Sequence, residues 1–174
     1  TCAELSVPVV CGTTGWLQHY DEACELTIKK HSALLYASNF SLGVNILFEI
    51  NTQLARIMDA YPQYDVEMQE IHHTRKLDAP SGTAITLAEH LITNINRKDH
   101  WTLENPKPNE IEIDAVREAD VPGTHSITYN SPIDSIEIKH TAHNREGFAL
   151  GAVIAAEFLC GKQGVFSMKD VLNF

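Results

Sequence analysis

The sequence predicts an α/β chain, with a mixed, largely antiparallel sheet packed by helices and, before it, the end of a parallel sheet. Three observations carry this reading. Two β-branched or apolar runs flank a short helix at the start of the chain, and each ends in a small or polar loop. Two long stripes then repeat apolar residues at three- and four-residue steps. Three alternating runs follow with only loops between them, which places strand beside strand and helices to one side.

The elements follow in order. Val7-Pro8-Val9-Val10-Cys11 reads as a buried strand running into Gly12-Thr13-Thr14-Gly15. Residues 21–30 form a helix, with acids in the first turn and lysines in the last. Residues 31–37 are a second strand, ending at Ser38-Asn39-Phe40. Together they resemble the last strand–helix–strand unit of a parallel sheet. Val44, Leu47, Ile50, Leu54 and Ile57 form the next helical stripe, which stops before Tyr61-Pro62. Residues 65–71 alternate as a strand. A second amphipathic helix follows Ser81, with Ile85, Ala88, Leu91, Ile92 and Ile95 on one face. Asn105-Pro106-Lys107-Pro108-Asn109 is a loop. Residues 111–116, 125–129 and 134–141 are strands, and residues 147–160 are a final helix closed near Gly161.

The chain has 174 residues, 44% of them hydrophobic and 21% charged, which excludes disordered and fibrous classes and allows one sizeable core. Its net charge of −10 argues against nucleic acid and against anionic membrane surfaces, since both favour a basic footprint. No run approaches the roughly 20 apolar residues of a membrane span, and residues 1–8 carry no signal-peptide pattern. Cys2, Cys11, Cys24 and Cys160 form no C-x-x-C pair, so they read as reduced, mostly buried thiols of a cytoplasmic protein.

In so acidic a chain, an anion site must be a local exception. His72, His73, Arg75 and Lys76 are that exception, four basic or titratable side chains within five residues. A solvated basic loop is the plain alternative. Pro80 biases Ala79 to an extended conformation, and Ser81 is a good N-cap for the helix that follows. The first-turn amides of Gly82, Thr83 and Ala84 then face outward as a ready anion site, and Gly82 lets a ligand come close. Basic cluster and helix N-terminus together describe a pocket for a ligand with two separated acid groups. A histidine at a strand end beside a cation suits general-acid work near neutrality. Neighbouring residues on an extended segment point to opposite sides, so His72 and His73 have different jobs. Metal binding is the rival reading. The spacings His72-His73 and His140-x-x-His143 fit no usual zinc pattern, and there is no H-E-x-x-H.

The string His72-His73-x-x-Lys76-x-Asp78-Ala79-Pro80-Ser81-Gly82-Thr83-Ala84 resembles the signature of the 4-hydroxy-tetrahydrodipicolinate (dihydrodipicolinate) reductase family. The likeness extends to Gly12-Thr13-Thr14-Gly15, Ala37-Ser38-Asn39-Phe40-Ser41, Val121-Pro122-Gly123-Thr124 and the end of the chain. It implies an oxidoreductase of lysine and diaminopimelate biosynthesis that reduces a cyclic dicarboxylate with NADH or NADPH. His72 then matches the proton donor and Lys76 the second catalytic residue. His73, Ser81, Gly82 and Thr83 match substrate contacts. Gly12, Thr13, Thr14, Ala37, Ser38, Asn39 and Phe40 match the loops at the nicotinamide end of the cofactor.

The resemblance further implies that residues 1–40 and 146–174 are parts of a Rossmann-type nucleotide domain, with residues 41–145 a substrate-binding and oligomerisation domain that forms a homotetramer through its sheet. No glycine-rich phosphate loop precedes Gly12, so cofactor binding and turnover by this chain alone are expected to be poor. The alternatives are an assembly and substrate-binding module without catalysis, and a metal-dependent hydrolase.

Overall fold

The computed structural model describes residues 1–13 and 15–174, which fall into two compact units. The first comprises Thr1–Asn45 with Glu146–Phe174. In it, β1 (Val9–Cys11), α1 (Tyr20–Lys29) and β2 (Ala33–Tyr36) form the expected unit, with β1 and β2 parallel in the register Cys11↔Tyr36. Downstream of the helix α2 (Leu42–Met58), the chain returns to this unit with α4 (Glu146–Leu159), β8 (Gly164–Phe166) and α5 (Met168–Leu172). β8 pairs parallel with β2, giving the order β1-β2-β8. Neither β8 nor α5 was expected, because three and five residues are too few to display a period.

The core of this unit is Ala33, Leu35, Ala37, Phe40, Ala155, Leu159 and Met168. Gly151 is required there. A Cβ at this position would stand 1.7 Å from the Phe40 carbonyl oxygen, so only glycine lets α4 press against the loop after β2.

The second unit spans Ile46–Arg145. Its sheet has the order β4-β5-β3-β6-β7, built from β3 (Asp65–His72), β4 (His100–Thr102), β5 (Glu110–Arg117), β6 (Thr124–Asn130) and β7 (Ser135–Thr141). β4–β5 and β5–β3 are parallel, whereas β3–β6 and β6–β7 are antiparallel, so the sheet is evenly mixed. The extra parallel strand β4 is again only three residues long. α3 (Gly82–Asn94) buries Ala84, Leu87, Ala88 and Leu91, and Asn51 of α2 donates to the Leu87 carbonyl at 3.0 Å. Ile111, Ile113, Ile127 and Tyr129 fill the sheet side of this core.

The cysteines correct the expectation of burial. All four are free, but Cys2 and Cys160 are exposed and Cys11 and Cys24 half-buried. Cys11 ends β1, Cys160 follows the last residue of α4, and Cys24 lies midway along α1 on a half-buried position. No helix among the described residues is long and apolar enough to cross a membrane.

Candidate active site

Strand period and register assemble the site. Along β3, Val66, Met68, Glu70 and His72 share the buried face. The apolar alternation is thus continued by two ionisable groups. Residues directly opposite on neighbouring strands share a face, so the pairing Glu70↔His125 brings His125 of β6 alongside, and His72↔Arg117 brings Arg117 of β5.

A buried carboxylate is costly unless it is paired. Glu70, with no exposed surface, meets that cost with several partners. The Ser81 amide donates to both its oxygens at 3.1 Å, and Arg117 Nη2 donates to Oε1 at 3.0 Å. His72 Nδ1 lies 3.4 Å from Oε2, and His125 Nε2 lies 3.8 Å from the same oxygen. Burial works against the Glu70 charge, but the contacts from His72, Ser81 and Arg117 outweigh it and hold the carboxyl at about 2. His125 moves down to about 4, mainly through burial and secondarily through the nearby His72, so it is neutral near pH 7.

The loop after β3 carries the cations. Lys76 Nζ reaches both Asp78 oxygens at 2.8 Å, which lowers the Asp78 carboxyl pKa and shows that the ammonium is placed to grip a carboxylate. Arg117 Nη2 also donates to the Asp78 carbonyl at 2.7 Å. The Ala79–Pro80 peptide is cis. Ser81 has extended backbone angles and caps α3 as expected, but the amide it accepts is that of Ala84, which is thereby removed from the expected anion-binding donors, leaving Gly82 and Thr83. Its side chain is buried, and the hydroxyl lies 3.2 Å from His125 Nε2. Ser81 is therefore engaged on every side by the protein, whereas Gly82 is exposed and Thr83 half-buried at the start of α3.

His72 and His73 diverge. His72 is buried, with Gly123 against its Nε2 edge, where an added Cβ would come within 3.1 Å. His73 is half-buried, and its Nε2 lies 3.4 Å from Arg145 Nη2.

In the other unit, the loops after β1 and β2 leave the same end of the parallel pair. The Ala37 amide donates to the Cys11 carbonyl at 3.1 Å, and a Cβ on Gly12 would stand 3.0 Å from the Phe40 ring. Gly12, Thr13, Ala37, Ser38, Asn39 and Phe40 lie in these two loops, and ligands of open α/β sheets bind beyond the carboxyl ends of the strands. Thr14 lies outside the described residues.

Sequence reasoning missed Arg117, His125 and Arg145, and it gave Glu70 no role. Glu70, His72 and His125 form a buried group with ligand atoms within 4.8 Å of one another. The Arg117 guanidinium and the Ser81 amide already occupy the carboxylate, so a divalent cation there would be set beside a fixed positive charge. The polar residues at positions 70 and 72 of an alternating strand were the available signal, since an ionised group on a core face needs partners from neighbouring strands.

A mixed-sheet α/β unit with a buried carboxylate–imidazole pair, and a lysine-bearing loop ahead of a helix N-terminus, offers the groups that an enzyme acting on small acids needs. The sequence model described as "Dihydrodipicolinate reductase, C-terminus" matches residues 43–172. The 4-hydroxy-tetrahydrodipicolinate reductase of Christiangramia forsetii is 55% identical over 173 residues, covering 99% of this chain and 72% of the relative. That of Methanosarcina mazei is 38% identical over 176 residues, covering 98% and 66%. A dipicolinate-bound dihydrodipicolinate reductase from Paenisporosarcina sp. TG-14 superposes with a TM-score of 0.73 at 25% identity, over 95% of this chain and 64% of that one.

The chain belongs to the dihydrodipicolinate reductase family. It spans between 64% and 72% of the length of these relatives. The family is one of oxidoreductases of lysine biosynthesis that use NADH or NADPH.

Proposed function

We propose that this chain carries the substrate-binding and proton-donating part of a reductase that converts 4-hydroxy-tetrahydrodipicolinate to tetrahydrodipicolinate. The observation that carries the proposal is the placement of His72 and the start of α3 around a single buried carboxylate, Glu70, with the Lys76 ammonium held on Asp78 in the loop between them. The dipicolinate bound by the Paenisporosarcina reductase is a planar ring with two carboxylates, and the site in this chain offers two matching cationic or dipolar positions. One substrate carboxylate goes to the first-turn amides at Gly82 and Thr83, where the helix dipole favours an anion. The other goes to Lys76, with His73 and Arg145 beside it.

Replacing the 4-hydroxyl by hydrogen consumes one hydride and one proton and releases water. A reduced nicotinamide, when bound, supplies the hydride. His72, when both ring nitrogens are protonated, supplies the proton from Nε2 and keeps the one on Nδ1, which faces the Glu70 carboxylate. Gly12, Thr13, Ala37, Ser38, Asn39 and Phe40 border the place of the nicotinamide ring, Gly12 and Phe40 by their close packing. Residues 1–40 and 146–174 accordingly belong to the nucleotide domain and residues 41–145 to the substrate and assembly domain. The enzyme works in the cytoplasm as a homotetramer joined through the face of the five-stranded sheet that carries Glu67, Gln69, Glu112, Asp114, Thr128 and Glu137. Those residues line an open hollow of about 390 Å³.

The test is titration calorimetry with pyridine-2,6-dicarboxylate. Binding that His73→Ala and Lys76→Ala weaken supports the reading; no binding to a folded sample overturns it.

A further inference from the structure

We infer that Glu70 is the positioning residue of this site: one buried carboxylate orients the His72 imidazole, with its proton on Nδ1, and also fixes the turn that starts α3. The inference rests on the function proposed above only for what His72 does with its other nitrogen.

The imidazole argument begins with His72 Nδ1, which is sealed from solvent and has no hydrogen-bond partner in good geometry. It faces Glu70 Oε2 at 3.4 Å, within ion-pair reach. A buried ring nitrogen without a partner is costly, and donating a proton to Glu70 relieves that cost. The proton then resides on Nδ1 in the neutral ring, and Nε2 is the nitrogen that takes up and releases a proton. Contacts of this kind are often long in a ligand-free enzyme and tighten when the ligand is bound. His125 packs edge-on against His72, with ring centroids 5.1 Å apart, and limits rotation of the ring from one side. Gly123 bounds the Nε2 edge. Carboxylate-to-imidazole pairs that set a tautomer are a general device of catalytic histidines.

The turn argument is independent of the ring. The Ser81 amide is an orphan of the first helical turn, and it is directed to Glu70 rather than to a ligand. Arg117 bonds Glu70 Oε1 and the Asp78 carbonyl from one nitrogen, so both ends of the segment Asp78-Ala79-Pro80-Ser81 are tied to the same carboxylate. Thus the strand residue two places before the proton donor also sets where the carboxylate-binding turn begins. A metal-ligand role for Glu70 would compete with Arg117 for the same oxygen atoms.

Long-range ¹H–¹⁵N correlation NMR reads the histidine tautomer directly, with His72 assigned by the signal lost in His72→Gln. The expected result is that the neutral form of the ring carries its proton on Nδ1 in the unsubstituted chain, with loss of that preference in Glu70→Gln. Glu70→Asp, which keeps the charge, retains part of the preference. Pyridine-2,6-dicarboxylate should bind Glu70→Gln about tenfold more weakly, the size of effect expected for losing one hydrogen bond to a charged group. A His72 ring protonated on Nε2 alone in the unsubstituted chain overturns the inference, and that reading stands even if Glu70→Gln does not fold. An unchanged tautomer in a folded Glu70→Gln also overturns it, and unchanged dicarboxylate affinity overturns the part concerning the turn. Failure of the unsubstituted chain to bind the dicarboxylate would instead strike the proposed function, and the tautomer result would be unaffected.

Discussion

Arg117 donates to Glu70 Oε1 at 3.0 Å, and from the same nitrogen it donates to the Asp78 carbonyl at 2.7 Å. This guanidinium thereby ties β5, the end of β3 and the loop before α3 into one unit. Removing one partner of a buried ion pair strands the other charge, at a typical cost of about 3–5 kcal/mol. Arg117→Ala is therefore expected to lose about 3 kcal/mol of unfolding free energy in urea. Arg117→Lys keeps the charge but not the forked donor and should lose less. Equal stability of Arg117→Ala and the unsubstituted chain would contradict this role.

Acid stability separates Glu70 from His125. Glu70 has its folded pKa depressed to about 2, so its contribution is present above its unfolded value near 4.5 and is lost as pH falls toward 2. His125 is also depressed, to about 4 from 6.5, because burial opposes its charge. Its unfolded form takes up a proton first, so stability begins to fall below pH 6.5 and continues falling to about pH 4. Urea midpoints measured from pH 7 to 2 should show both stages. His125→Gln should reduce the loss between pH 6.5 and 4, leaving the share of His140, which burial also shifts down, and Glu70→Gln should reduce the later one.

Two glycines of the site should respond in opposite ways. A Cβ at Gly82 meets nothing within 4 Å, so Gly82→Ala should leave thermal stability within about 0.5 kcal/mol while weakening dicarboxylate binding by crowding the amides. A Cβ at Gly123 comes within 3.1 Å of His72 Nε2, from a backbone φ of +156°. Gly123→Ala should cost about 1–3 kcal/mol and move the His72 ring signals in NMR spectra. Stability unchanged at Gly123 would mean that the ring yields freely.

Most of the fold was legible because its elements are long enough to show a period. β3, α3, β5, β6 and β7 lie within a residue or two of the alternations and stripes that announced them. β4 and β8 were not legible, since three residues carry no period and their pairing comes from long-range contacts. In the site, the cap at Ser81 followed from local chemistry. The partnership of Glu70 with Arg117 and His125 did not, because it depends on strand pairing between residues 47 and 55 positions apart. Lys76 was found by its charge, but its grip on Asp78 required the loop geometry.

The sheet face lined by Glu67, Glu112, Asp114 and Glu137 carries the proposed assembly. Light scattering at micromolar concentration should give a mass near four times the 19.4 kDa of the chain. A monomeric mass would remove the homotetramer from the account.

The central claim is that this site holds a dicarboxylate between the start of α3 and Lys76, with His72 at the reacting end. A crystal structure of the chain soaked with pyridine-2,6-dicarboxylate tests it most directly. The account predicts one carboxylate on the amides of Gly82 and Thr83, the other within hydrogen-bond reach of Lys76 Nζ, and His72 Nε2 facing the ring. Ligand bound elsewhere, or a ring placed away from His72 with Lys76 still closed on Asp78, would contradict it.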